Sequence, residues 1–329
     1  MKKIASLIVP LILLSFLLIG SLIIVAIAGA PARGKQIRII TVLKTIDSNM
    51  DFWEVVKSGM RVATTELNLQ MDVYGPWAES DVPGQLIIMD QAIKEKPAGI
   101  ILSATDFNAL VPLVEKAKKE GIPIVTLDSG VNSSIPISFV ATNNVEAGEK
   151  AGRAMMALLE PGKKLAIINH VRGATTAIQR EDGVTRAIKK DGRYPIVGTW
   201  FTNNYEENAY ALTKQILVDF PDLAGILAMN EVSTVGSARA LKDLGLAGKI
   251  RLVGFDSSIL EIKLIEEGVI DATVIQKPFN MGYISVKTIL DAIEGRRPKR
   301  FIDTESVLIT AQTLYLPENQ KLLFPFVED

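Results

Sequence analysis

The 329-residue chain has no cysteine, which excludes structural disulfides, thiolate zinc sites, a cysteine nucleophile and a lipid-modified N-terminal cysteine. It also lacks an excess of either charge, with Lys+Arg 36 against Asp+Glu 37, so it carries no electrostatic footprint for nucleic acid. No Gly-x-Gly-x-x-Gly follows the first apolar run, and there is no phosphate loop ending in Gly-Lys-Ser/Thr. Gly-x-Ser-x-Gly and His-Glu-x-x-His are missing too, which weighs against an enzyme, a bound cofactor or a metal centre. Nor does any low-complexity linker divide the chain. If it forms two bodies, short crossings join them, and the motion to expect is a hinge.

What is present begins with an apolar N-terminus. Met1-Lys2-Lys3 is followed by an uncharged stretch from Ile4 to Ala32, longer than the roughly 20 residues that span a bilayer. A cleaved export signal has an apolar core of about 7–15 residues and a small-residue site. Ala28-Gly29-Ala30 offers such a site, but Pro31 would follow the cut; Ala26-Ile27-Ala28 is a second candidate. The length favours an uncleaved anchor over residues 4–30, with Lys2 and Lys3 cytoplasmic and the body exported. The alternative is a secreted or periplasmic protein after cleavage.

From Gln36 onward, short apolar runs alternate with longer amphipathic ones, the pattern of a parallel sheet with crossover helices. Strands are expected near 37–43, 71–75, 98–102 and 122–127, and again near 164–169, 195–201, 224–228, 250–255 and 271–275. Helices are expected near 52–69, 82–95 and 107–120, then near 144–159, 176–190, 205–219, 232–245 and 258–267. Asn143 and Glu146 have the spacing of a capping box at a helix start.

Two of the strands end alike, as Ile-Pro-Ile-Val-Thr-Leu-Asp128-Ser129 and Ile-Arg-Leu-Val-Gly-Phe-Asp256-Ser257. Ligands bind at the C-terminal edge of open α/β sheets, so a carboxylate delivered there by each half suggests two lobes sharing a cleft. The plainer role for either aspartate is to cap the following helix. Phe52 and Trp53 stand at the first helix start, either as helix-face burial or as an aromatic wall for a sugar ring, whose C–H faces are apolar. Asn230 ends a strand and can both donate and accept; Gln276 ends another just before Pro278. His170 and Arg172 occupy the turn Asn169-His170-Val171-Arg172-Gly173, and Lys44 and Asp47 the first strand-end loop, each as a ligand contact or a plain loop residue.

Taken in order, several pieces of the chain resemble the type I periplasmic sugar-binding proteins, above all their ribose-binding branch, and through it the ligand-binding domains of the lac repressor family. The pieces are Ile-Pro-Ile-Val-Thr-Leu-Asp128, Val-Ala-Thr-Asn143-Asn144-Val-Glu-Ala-Gly, Gln-Arg180-Glu-Asp-Gly183, Ala-Met-Asn230-Glu, Leu-Val-Gly-Phe-Asp256 and Ile-Gln276-Lys-Pro, and the likeness runs from Lys35 to about Leu316. No helix-turn-helix precedes the body. The resemblance implies an α/β fold of two doubly wound parallel-sheet lobes joined by a three-segment hinge. Residues 1–35 would be the anchor or signal, 36–142 plus 277–303 one lobe, and 143–276 plus 304–329 the other. It implies Phe52 and Trp53 as stacking aromatics, Asp128, Asn230 and Asp256 as hydroxyl partners, and Gln276 as a hinge-side contact. The ribose-type pattern has arginine where this chain has Ser129 and again where it has Ile178. A ligand other than ribose follows (another pentose, a hexose, an inositol or a different polyol), with Arg172, His170 or Lys44 as replacement donors. The implied function is non-catalytic binding of a monosaccharide for an ABC permease. The alternative is a membrane-anchored sensor that signals to a histidine kinase of a two-component system.

Overall fold

The computed structural model describes residues 36–48 and 50–323. The apolar segment expected to be an anchor or signal lies outside them. Among the described residues no helix is long and apolar enough to cross a membrane.

The first lobe is laid down as β1 (Arg38–Val42), α1 (Asp51–Glu66), β2 (Gln70–Tyr74), α2 (Val82–Lys94), β3 (Gly99–Leu102), α3 (Val111–Lys119), β4 (Ile124–Leu127) and β5 (Ser138–Ala141). The second follows as α4 (Asn144–Leu158), β6 (Lys164–Asn169), α5 (Thr175–Asp191), β7 (Ile196–Phe201), α6 (Glu206–Asp219), β8 (Leu223–Ala228), α7 (Glu231–Asp243), β9 (Arg251–Phe255), α8 (Ile259–Glu266) and β10 (Ala272–Ile275). The chain then returns through α9 (Pro278–Ile293) and β11 (Phe301–Asp303) and ends in β12 (Val307–Thr310) and α10 (Pro317–Leu323). The strands form two six-stranded sheets, ordered β11-β5-β4-β3-β1-β2 and β12-β10-β9-β8-β6-β7. All pairings are parallel except that of β12 with β10. The expected α/β class with two parallel-sheet lobes is what the chain adopts.

Unbroken apolar runs become strands here because both faces of each sheet are covered. In the second lobe Ala166, Ile168, Ile226 and Ala228 enter one core, while Leu165, Ile167, Leu227 and Met229 enter the core on the opposite face. That is the two-residue alternation of a strand, hidden in sequence by apolar residues on both sides. Helix pairs close each lobe by direct backbone approach: a Cβ on Gly183 would lie 2.0 Å from the Val145 carbonyl oxygen, and one on Gly282 the same distance from that of Val56. The first contact joins α4 to α5, the second α1 to α9.

Two expected helices start or stop differently. The helix expected from residue 107 begins at Val111, because the Asp106 carboxylate accepts from the amides of Asn108 and Ala109 and holds a turn ahead of it. Helix α1 stops at Glu66, and Asn68 turns the chain with φ 51°. At α4 the Asn143 side chain accepts from the Glu146 amide at 3.3 Å, but the reciprocal half of the box is absent. The Asn143 amide donates to Asp303 Oδ1 at 3.0 Å, and Glu146 pairs with Lys150.

The chain passes between the sheets three times, at residues 142–143, 276–277 and 304–306. These segments lie side by side. The Thr304 amide donates to the Ala141 carbonyl at 3.0 Å, and Lys277 pairs with Glu305.

Candidate functional site

The C-terminal ends of both sheets border one cleft. The first lobe contributes Lys44 beyond β1, Met50, Phe52 and Trp53 at the start of α1, Glu79 beyond β2, and Asp128 at the end of β4. The second contributes His170 beyond β6, Thr176 and Arg180 from α5, Asn230 and Glu231 at the start of α7, Asp256 beyond β9, and Gln276 on a crossing segment. The free space between these walls, open mouth included, is about 350 Å³.

Asp128 and Asp256 occupy equivalent corners. Each has left-handed backbone, with φ 58° and 74°, and each amide donates back to a neighbouring strand, to Val140 at 2.9 Å and Val274 at 3.0 Å. Such conformations are uncommon outside glycine but are tolerated by aspartate. They turn the side chain off the strand end and into the cleft. Neither aspartate caps the helix that follows it. Ser258 caps α8, accepting from the Glu261 amide at 3.2 Å, so the capping alternative falls to a neighbour.

Around Asp128 the wall is neutralised: Lys44 Nζ lies 2.8 Å from its Oδ2, and both side chains are almost wholly buried. Around Asp256 it is crowded with acids. Its Oδ2 accepts from the Glu231 amide at 3.2 Å, and its Oδ1 from Gln276 Nε2 at 2.5 Å. The nearest cation, Arg180 Nη1, stands 3.8 Å away and is already committed to the Met229 carbonyl at 2.7 Å. Burial, with Asp256 and then Asp51, Glu79 and Glu206 nearby, pushes the Glu231 carboxyl up to about 8. Behind it Glu261 is raised well above the usual carboxyl range by burial, with Glu231 and Asp256 adding to the effect.

The aromatic pair takes an edge-on arrangement, with ring centroids 5.0 Å apart at 88°. Trp53 is 1% exposed, and its indole Nε1 donates to Glu79 Oε1 at 2.6 Å, fixing both side chains. Burial raises the Glu79 carboxyl, against the pull of Lys44 and the Trp53 hydrogen bond. Asn230 is engaged twice: its Oδ1 caps α7 at the Ser233 amide, and its Nδ2 donates to Asn204 Oδ1. His170 is buried and held well below its ordinary value, first by that burial and then by Arg180 and Lys44. It is therefore a neutral imidazole, with Nε2 against Thr176 Oγ1 at 2.8 Å.

Two expected contacts lie elsewhere. Ser129 is fully buried but does not line the cleft. Arg172 is exposed, stacked 4.0 Å above the Phe201 ring, because the tight turn at Gly173 aims it outward. Ile178 is 48% exposed on the outer face of α5. The guanidinium in this cleft comes from Arg180, two positions further on, whose Nε also donates to Asn144 Oδ1 at 2.9 Å. Met50, Glu79, Thr176, Arg180 and Glu231 were missed in the sequence. Glu231 directly follows Asn230, and Arg180 stands in a quoted motif, so adjacency could have found both. Nothing local marks Glu79.

The lobes also touch across the cleft. The Phe107 amide donates to the Gly173 carbonyl, and Thr175 Oγ1 to that of Gly130, both at 2.9 Å. Lys44 Nζ reaches Thr176 Oγ1 at 3.3 Å.

Residues 39–297 match the model of the periplasmic binding protein domain. The chain belongs to that family. Its relatives place this periplasmic binding protein in the ribose-binding branch of the type I sugar-binding proteins. It is 28% identical to the D-allose-binding periplasmic protein of Escherichia coli, over 82% of this chain and 90% of the relative. A solute-binding protein of an ABC transporter from Agrobacterium vitis, solved with bound D-fucose, superposes with a TM-score of 0.84 at 33% identity, covering 87% of this chain and 99% of that one. A sugar transporter structure from Clostridium phytofermentans gives 0.79 at 32% identity, over 84% and 99%. The first of these is named as periplasmic, and the second as the solute-binding part of an ABC transporter. None of them points to a sensor.

Proposed function

We propose that this protein is an exported solute-binding protein that holds a monosaccharide or similar polyol between its lobes and delivers it to an ABC permease. The observation that carries the reading is the pair of left-handed aspartates, Asp128 and Asp256, opposed across one cleft whose floor includes Phe52 and Trp53. Carboxylates accept from ring hydroxyls, Lys44, Arg180 and the Asn230 amide donate to them, and the aromatic edges cover apolar ring faces. In this reading the lobes are residues 36–142 plus 277–303 and 143–276 plus the remainder, moving about the three crossings. A ligand gripped from both sides favours the closed arrangement, since its contacts are complete only there. The permease then recognises the closed form. Residues 1–35 serve export, as cleaved signal or retained anchor.

The reading is tested by thermal melting with a panel including D-allose, D-ribose, D-arabinose and D-fucose. At least one neutral or substituted monosaccharide is expected to raise Tm in proportion to the logarithm of its concentration. Asp128→Ala and Asp256→Ala are expected to abolish the shift. A panel without effect on the unaltered protein overturns the proposal.

A further inference from the structure

Four carboxyl groups line the cleft, Glu79, Asp128, Glu231 and Asp256, beside two cations, Lys44 and Arg180. Lys44 is committed to Asp128 at 2.8 Å and Arg180 stands 3.8 Å from Asp256, which accounts for both cations on its walls. Glu79 and Glu231 remain, and among the described residues neither forms an ion pair. The indole of Trp53 answers Glu79. Glu231 Oε2 is buried with no hydrogen-bond partner.

A second observation concerns what kind of group is missing. Gln276 is 5% exposed and His170 3% exposed; both line the cleft, and each has a buried atom without a partner, Oε1 and Nδ1 respectively. The Gln276 amide nitrogen is spent on Asp256, which leaves its oxygen as an acceptor. Once Glu231 is ionised, its Oε2 and the Gln276 oxygen are two buried acceptors without a donor, while the role of His170 Nδ1 follows its tautomer. A hydroxyl brings one donor and two acceptor lone pairs, whereas an ammonium brings three donors and no acceptor. A divalent cation is the other way to answer such acceptors, but among the described residues no group of three or more His, Cys, Asp or Glu is placed to hold one.

We infer that the cleft of this protein is built for a sugar or cyclitol carrying a protonated amino group, with Glu231 as the carboxylate that discriminates it from the neutral hydroxylated parent. The inference rests on the sugar-binding reading above and narrows its ligand class. The acids that act on Glu231 are Asp256 beyond β9, Asp51 on α1, Glu79 beyond β2 and Glu206 on α6, with Glu261 on α8 behind it; the cations nearby are Arg180, 3.8 Å from Asp256, and Arg239, which pairs with Glu206. An entering ammonium relieves this crowding, and Glu231, which holds a proton in the free protein, gives it up to solvent as the pair forms. No covalent step is involved.

The test is isothermal calorimetry on the full chain, with D-glucosamine, D-galactosamine and D-mannosamine each set against its neutral parent hexose and its N-acetyl derivative. At least one amine is expected to bind about tenfold or more tighter than both controls, roughly 1.4 kcal/mol. Its binding at pH 6, compared in buffers of different ionisation enthalpy, is expected to release close to one proton. In Glu231→Gln, shown to be folded by its own melting curve, amine and parent affinities are expected to converge and the proton release to vanish. A neutral parent that binds as well as its amine overturns this inference while leaving the sugar reading intact. If no member of any set binds, both fall.

Discussion

Asp128 and Asp256 end corresponding strands with the same turn of the backbone, yet their surroundings differ. The first lobe meets its aspartate with a buried lysine; the second surrounds its own with Glu231 and Glu261 and keeps the arginine at a distance. Equivalent backbone positions therefore do not make equivalent chemistry. The first wall sets a cation 2.8 Å from its aspartate, whereas the second keeps its cation at 3.8 Å and crowds its aspartate with carboxyl groups held above their usual range.

That contrast can be broken most sharply at Lys44. Removing one partner of a buried pair leaves an uncompensated charge, so Lys44→Ala is expected to lower stability by about 3–5 kcal/mol, read from denaturant unfolding with the midpoint shifted at constant slope. A milder version compares the two aspartates directly. Asp128→Asn strands the lysine and is expected to cost roughly 1–3 kcal/mol more than Asp256→Asn, which removes one member of an acidic crowd. Equal losses would mean that the two corners are energetically alike.

The smallest effect is in pH. Glu231 keeps its proton in the folded state up to about 8, whereas in the unfolded chain it is ionised above the ordinary glutamate value of about 4.3. The folded state therefore binds more protons, and its stability falls as pH rises through this window. Glu79 and Glu261 act in the same direction. His170 acts oppositely, since its depressed value makes protonation of the unfolded chain favourable below about 6.5. Between about pH 6.5 and 8 the carboxyl effect stands alone: Tm of the free protein is expected to drop, by up to about 1.4 kcal/mol of stability per pH unit for each fully titrating group, and Glu231→Gln to flatten the slope.

Much of this was legible in the chain. The strands through Ile275 and the helices between them were readable because each combines a period with a terminator, as at Gly121-Ile122-Pro123. β5, β11 and β12 escaped although β3, β4 and β10 are equally short, because they break the strand–helix alternation: β5 directly follows β4 and β12 directly follows β11; α9 was not read. Asp128, Asp256 and Asn230 announced themselves at the ends of apolar runs. Glu79 did not, because its place is set by a hydrogen bond to Trp53, 26 residues away in sequence. Arg172 misled for the same reason in reverse: a turn looks alike in sequence whichever way it points its side chains.

The hydrogen bond from the Phe107 amide to the Gly173 carbonyl joins backbone to backbone across the two lobes. Short of proline at position 107, no substitution deletes its partners. Isotope exchange at that single amide would slow whenever the lobes stay shut and quicken whenever they part, so it reads the balance between the two arrangements.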